Sequence, residues 1–201
     1  MSEADSPADA DADAAETTAK LFSEWNVTDI EFSDPSTERY ITVTPIAHTM
    51  GRHAAKQFQK SEISIVERLI NRLMQTDENT GDKQKTMRIT REAFEIIHAR
   101  TDENPVQILV EAVENAAPRE ETVRLKYGGI SVPKAVDVSP QRRVDQALMF
   151  IAQGVYNDSF KTTTDAEEAL ANQLVSAANN DVSAYAVNQK EEKERVAAAA
   201  R

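Results

Sequence analysis

Thr122-Val-Arg-Leu-Lys-Tyr-Gly-Gly-Ile-Ser-Val-Pro-Lys-Ala-Val136 is the one stretch of this 201-residue chain that breaks a helical rhythm. From Thr122 to Tyr127 the residue character alternates with a period of two, the signature of extended backbone. Gly128-Gly129 follows, and two glycines accept the positive φ angles that a two-residue hairpin turn demands. With Tyr127 opposite Ile130, one face carries Val123, Leu125, Tyr127, Ile130 and Val132, and the other carries Arg124 and Lys126. Pro133 removes one backbone donor, which the edge of a ribbon tolerates. An isolated hairpin is marginal in water. This one, at about residues 122–138, is expected to project from its neighbours and to need something to lie against.

Those neighbours read as helices. In 62–76, Ile63, Val66, Ile70, Leu73 and Met74 recur at helical spacing, which leaves Glu67, Arg68 and Arg72 facing outward. In 84–100 the stripe runs from Ile89 through Ala93, Phe94, Ile97 and His98. Asn104-Pro105 is an N-cap with Pro at the first helical position, and Pro118 stops the helix it opens. Ser139-Pro140 repeats the start signal ahead of Val144, Ala147, Leu148, Ile151 and Val155. Thr164 and Glu167 fit a capping box, and Ser183 to Arg201 is a polar helix that packs by Tyr185 and Val187 and frays at its Ala run. The expected fold is mainly α: a single bundle of about six helices with a protruding two-stranded β-hairpin. Residues 1–20, rich in Ala, Asp and Glu, are expected to be an acidic disordered tail. Residues 21–45 form an irregular lead-in anchored by Leu21, Phe22 and Trp25, with a short extended run at 40–44, so the folded unit covers 21–201.

The net charge of −11 argues against a polyanionic partner until its distribution is examined. Residues 1–38 hold eleven acids and one base, a charge of −10, so residues 39–201 carry only −1. Residues 39–60 contain Arg39, Arg52, Lys56 and Lys60 with His48 and His53, and no acid. Residues 83–91 contain Lys83, Lys85, Arg88 and Arg91, again with no acid. Residues 118–143 hold six bases against three acids. One such run is ordinarily a solvated face. Three of them in so acidic a chain point to a polyanion.

Enzyme chemistry has no foothold. The chain has no Cys, which removes disulfides, thiolate metal sites and Cys nucleophiles together. No phosphate-binding loop, dinucleotide fingerprint or Gly-x-Ser-x-Gly elbow occurs. His48 and His53 do not share a helix face, and His98 reads as a core histidine rather than a ligand. No cofactor or metal is expected. No apolar run approaches the roughly 20 residues that cross a membrane. The start is acidic rather than basic-then-apolar, so a cytoplasmic protein is expected.

Several segments together carry a family resemblance. They are Val66-Glu-Arg-Leu69, Asn71-Arg-Leu-Met74, Asn104-Pro-Val-Gln107, Glu114-Asn-Ala-Ala-Pro-Arg-Glu120, Tyr127-Gly-Gly129, Ala135-Val-Asp-Val-Ser-Pro-Gln-Arg-Arg-Val144 and Ser183-Ala-Tyr-Ala186. From about residue 21 to Arg201 the chain resembles small-subunit ribosomal protein seven, in its archaeal and eukaryotic branch. The resemblance implies a helical fold with a β-ribbon that binds the 3′ major domain of the small-subunit ribosomal RNA and nucleates assembly of the subunit head. It implies neighbouring small-subunit proteins as partners, and a position near the exit-site tRNA and the mRNA path. It implies RNA contacts from Arg52, His53, Lys56 and Lys60, and from Arg124, Lys126, Gly128, Gly129 and Lys134 of the ribbon, with Arg142 and Arg143 joining them. The basic stretch adds Lys83, Lys85, Arg88 and Arg91, and Tyr127 offers a ring on which an unpaired base stacks. Where the family has Gly-Lys-Lys, this chain reads Gly81-Asp-Lys-Gln-Lys85, and Asp82 weakens that phosphate contact.

An acidic member of a basic family points to a halophilic source, where excess surface acid keeps a protein hydrated in brine. At 1 M salt the Debye length is about 3 Å, so the acidic leading residues repel RNA only at close range. The competing reading, a helical adaptor that binds protein and not RNA, explains the helices and the acidic start. It leaves the acid-free basic stretches and the ribbon unexplained.

Overall fold

The computed structural model describes residues 20–53 and 55–201, so the expected acidic tail lies outside the described residues except for Lys20. In chain order the elements are α1 (Pro35–Glu38), α2 (Ile65–Leu73), α3 (Lys83–Thr101), α4 (Pro105–Ala116), β1 (Glu120–Tyr127), β2 (Ile130–Asp137), α5 (Pro140–Ser159), α6 (Ala166–Ala178) and α7 (Tyr185–Ala199). Two 3-10 turns, Gln59–Glu62 and Asp77–Asn79, flank α2. Among the described residues, the six helices of nine or more residues and the single hairpin match the expected architecture.

Local chemistry sets most of the helix starts. The Asn104 side chain accepts from the Val106 N–H at 3.1 Å, with Pro105 at the first helical position. Asp82, expected to weaken a phosphate contact, caps α3 by accepting from the Lys85 N–H at 3.0 Å. The capping box expected at Thr164 is displaced by one residue: Asp165 is the N-cap of α6 and makes no side-chain capping bond. Thr164 instead follows a turn in which its N–H meets the Thr162 hydroxyl.

At the centre, α6 packs against α3, α4 and α5, and Phe94, Leu109, Leu148, Ile151, Leu170 and Leu174 are fully buried. Burial of such side chains is worth roughly 1.5–3 kcal/mol each. Gly154 lets three helices meet: a Cβ there would lie 2.8 Å from Oε1 of Gln173 on α6 and 3.0 Å from Cβ of Tyr185 on α7. Leu21 is fully buried and Phe22 meets Phe94 edge-on, so the leading segment is pinned to the body.

That segment overturns the expected outward face of α2. Glu67 is 2 % exposed and Arg68 is 6 % exposed. Tyr40 and Thr49 lie over this side of the helix, and their backbone groups meet the buried charges. Both Glu67 oxygens accept from the Thr49 N–H, and Arg68 donates to the Tyr40 carbonyl at 2.8 Å. The extended run expected at 40–44 is reduced to one parallel bridge between Thr42 and Ser64. His98, expected in the core, is exposed; its ring packs edge-on against Trp25 at 5.0 Å between centroids and its Nδ1 meets the Glu103 carbonyl. The Ala run of α7 is also not frayed, since Ala197 is fully buried and the Ala200 carbonyl accepts from the Ala135 N–H.

Candidate nucleic-acid interface

β1 and β2 pair antiparallel in the expected register, Tyr127 with Ile130, Leu125 with Val132 and Val123 with Lys134. Gly128 and Gly129 have φ of +55° and +91°, as a two-residue turn requires. Residues directly opposite one another share a face. Lys134 therefore stands on the same face as Tyr127, while Arg124 and Lys126 share the other with Pro133 and Ser131. The base of the ribbon is braced. Glu194 of α7 accepts from the Arg119 N–H, Arg201 pairs with Glu120, and the Val138 N–H continues the ladder to the Arg119 carbonyl. Its tip has no such support: Tyr127 is 66 % and Ile130 70 % exposed, with Val123 and Val132 also open. Arg124, Lys126 and Lys134 are exposed and enter no ion pair among the described residues.

The remaining basic residues divide by what they touch. Arg52, Lys56 and Lys85 are exposed without an ion pair among the described residues. His53 lies 3.2 Å from Glu62. Arg88 and Arg91 sit on the open face of α3 beside Glu92 and Glu95, and Arg91 also reaches Glu24. Lys60 pairs with Asp145, whose other oxygen takes the buried Arg68 at 3.0 Å. Burial holds the Arg68 guanidinium below its ordinary range, and Asp145 works against that.

Three basic residues are tied into the structure. Lys83 lies 2.6 Å from Glu67; burial pushes that carboxyl up, but Lys83 and the Thr49 N–H outweigh it and hold it below the ordinary value. Arg142 forks onto Glu121 at 2.9 and 3.1 Å, which lowers the carboxyl and raises the guanidinium. Arg143 is 6 % exposed and turned inward to Asp34 at 2.8 Å and Ser36 at 2.6 Å. Arg142 keeps an exposed stem and flank. Arg143 does not.

Sequence reasoning passed over a second feature. The links α2–α3 and α5–α6 meet at one end of the bundle around a cleft of about 450 Å³. Its lining includes Lys85, Tyr156, Phe160 and Lys161. A smaller cleft of about 260 Å³, bounded by Arg72, Gln75 and Met149, adjoins it across Thr76, Ala152 and Tyr156. The Tyr156 and Phe160 rings are stacked, 5.0 Å apart and 19° from parallel, and the Lys161 ammonium lies over Phe160 at 5.0 Å. The spacing Tyr-x-x-x-Phe-Lys at a helix end was the available signal. Both aromatics fall just beyond the apolar stripe that ends at Val155.

A helical body whose β-ribbon is braced at its base and presents exposed Arg124, Lys126 and Lys134 toward an unsupported tip defines an α-helical scaffold that carries a basic ribbon. No group of metal-ligating side chains occurs among the described residues, and no helix there is long and apolar enough to cross a membrane. The chain belongs to the ribosomal protein S7p/S5e family, whose model matches residues 37–201. It is 77 % identical to the small ribosomal subunit protein uS7 of Haloarcula marismortui over the full length of both chains. It is 74 % identical to the uS7 of Natronomonas pharaonis over 99 % of this chain and 97 % of that one. Against the uS7 of Methanothrix thermoacetophila the identity is 54 %, covering 90 % of this chain and all of that protein. The Haloarcula and Natronomonas relatives come from halophilic archaea, the source that the acidic composition suggested. The family is structural and non-enzymatic.

Proposed function

We propose that this protein is a structural component of the small ribosomal subunit in the cytoplasm, binding the 3′ major domain of its ribosomal RNA and nucleating assembly of the subunit head. The observation that carries the reading is the ribbon tip. In a chain of net charge −11, Arg124, Lys126 and Lys134 project without ion-pair partners among the described residues, beside an exposed Tyr127 and a turn of two glycines. Lysines and arginines neutralise phosphates, glycines let backbones approach closely, and an exposed ring stacks on an unpaired base. Arg52, Lys56 and Lys85 extend the surface, with His53, Arg88, Arg91 and the outer flank of Arg142 at its margins. Lys83 and Arg143 support it from within and Lys60 from the surface, each held by a carboxylate. Neighbouring small-subunit proteins, exit-site tRNA and the mRNA path complete the proposed surroundings of the ribbon.

The test is binding to a 3′-domain fragment of small-subunit ribosomal RNA in molar potassium chloride. Tight binding by the wild type, lost when Arg124, Lys126 and Lys134 become Ala, is the expected result. A folded protein that ignores the RNA at every salt concentration, yet captures a protein partner after nuclease treatment, would return the adaptor reading.

A further inference from the structure

We propose that residues 1–19 fold back along α4 and screen the cations of the ribbon, an intramolecular acidic cover that ribosomal RNA must displace. The proposal rests on the RNA-binding reading above and gives that surface a competitor within the same chain. Three observations converge on it. The first is charge. Residues 1–19 contain Glu3, Asp5, Asp9, Asp11, Asp13 and Glu16 and no base, a side-chain charge of −6. Arg119, Arg124, Lys126 and Lys134 are exposed, and none of them enters an ion pair among the described residues.

The second is direction. The Leu21 N–H donates to the Trp25 carbonyl at 2.8 Å and the Trp25 N–H returns the bond at 3.0 Å, so the chain doubles back between them. In such an antiparallel bridge the residues before Leu21 and those after Trp25 leave on the same side. The course of the latter is fixed by α4. Asn104, its N-cap, donates to the Asn26 carbonyl, and Gln107 in its first turn accepts from the Glu31 N–H. Glu114 in its last turn accepts from the Ser33 and Asp34 N–H groups, and Asp34 then meets Arg143 just beyond β2. The bridge thus aims the leading residues down α4 toward the base of the ribbon.

The third is reach. The 12 residues of α4 measure about 18 Å and the 8 residues of β1 about 26 Å. Residues 1–19, extended, span roughly 60 Å, which takes them past the ribbon base to Lys126 beside the tip. A tether of this kind holds its acids at an effective concentration on the order of millimolar. In molar salt an exposed ion pair is weak and acts only within about 3 Å, so the cover is a set of short-range contacts that exchange readily. Ribosomal RNA brings a fitting shape as well as charge and replaces them. A polyanion that offers charge alone has to compete at every cation. The cover therefore favours the matching RNA over others.

The experiment compares wild type with a full-length variant whose leading acids are neutralised, both checked by circular dichroism in molar potassium chloride. The substitutions are Glu3→Gln, Asp5→Asn, Asp9→Asn, Asp11→Asn, Asp13→Asn and Glu16→Gln. Zero-length carbodiimide crosslinking of RNA-free wild type, read by mass spectrometry, should join the leading carboxylates to Lys126 and Lys134. Addition of the 3′-domain fragment should abolish those links. The neutralised variant should bind polyuridine, which has charge but no matching fold, about fivefold more tightly, with a smaller gain on the 3′-domain fragment. Links spread evenly over lysines away from the ribbon, such as Lys56 and Lys161, would overturn the cover and leave the RNA reading intact. So would ribbon links that persist under bound RNA, or equal gains on both RNAs, which general repulsion explains. Absence of RNA binding by wild type would remove the reading on which the cover rests.

Discussion

The guanidinium of Arg143 lies 2.8 Å from a carboxylate oxygen of Asp34, 109 residues earlier in the chain, while its neighbour Arg142 faces outward to Glu121. Two adjacent arginines thus do opposite things. Arg143 fastens the leading segment to the first turn of α5, and breaking such a buried pair costs about 3 kcal/mol. For a domain of this size that is roughly 6–12 °C in Tm. Arg142 is more than half exposed, and its loss costs about 1 kcal/mol or less. Thermal unfolding of Arg143→Ala and Arg142→Ala in molar potassium chloride should separate them clearly. Equal Tm values would contradict the assignment.

The same pair sets an acid limb. Burial pushes the Asp34 carboxyl up, but the Ser36 hydroxyl and N–H and the Arg143 guanidinium outweigh it and lower it from 3.8 to about 2. Between those values the unfolded chain binds more protons than the folded one. The contribution is therefore complete above about pH 4 and disappears as pH falls through 2, a loss of about 2 kcal/mol. Glu114 acts in the other direction: burial raises its carboxyl, aided by the Asp34 charge, so its contribution diminishes as pH rises through the raised value. Urea unfolding from about pH 2 to 6 should show the Asp34 step in wild type and not in Asp34→Asn.

Gly154→Ala should destabilise the protein by about 1–3 kcal/mol through overpacking. The added methyl meets Gln173, which is held on both sides, donating to Asp158 and accepting from the Tyr185 N–H. Calorimetry that finds the variant as stable as wild type would mean that α5, α6 and α7 can move apart without cost.

On the ribbon, Arg124→Ala and Lys126→Ala should each lower the salt slope of RNA binding by about one and leave stability within about 0.5 kcal/mol. Neither side chain supports the fold. A large Tm change in either would move that residue into the scaffold.

A chain whose residues 1–38 carry −10 should fold and bind more fully in concentrated salt. Tm and RNA affinity compared at about 0.1 M and about 2 M potassium chloride test this. Complete folding with undiminished RNA affinity in the dilute buffer would contradict a halophilic adaptation.

The hairpin was legible because its signals are local: alternation, two glycines and a change of period all lie within fifteen residues, and even the Tyr127–Ile130 register follows from them. Helix starts at Asn104 and Pro140 were legible for the same reason. The burial of Glu67 and Arg68 was not. Periodicity reports which side of a helix is apolar, not what an irregular segment will lay across the other side, and residues 40–60 have no period to read. Glu67 found Lys83 sixteen positions away and Arg68 found Asp145 seventy-seven away. The basic stretches likewise gave composition without partners, so Lys83 and Arg143 looked the same as Lys85 and Arg142.

The brace beneath the ribbon has a consequence in time. Arg119 at its base is held by Glu194, seventy-five residues later. At a synthesis rate of roughly 5–20 residues per second, the ribbon leaves the ribosome several seconds before the helix that steadies it. During that interval its exposed apolar face has no support from α7. The nascent protein therefore passes through a stage in which the surface proposed to meet RNA is present but not yet aimed, and completion of α7 fixes its direction.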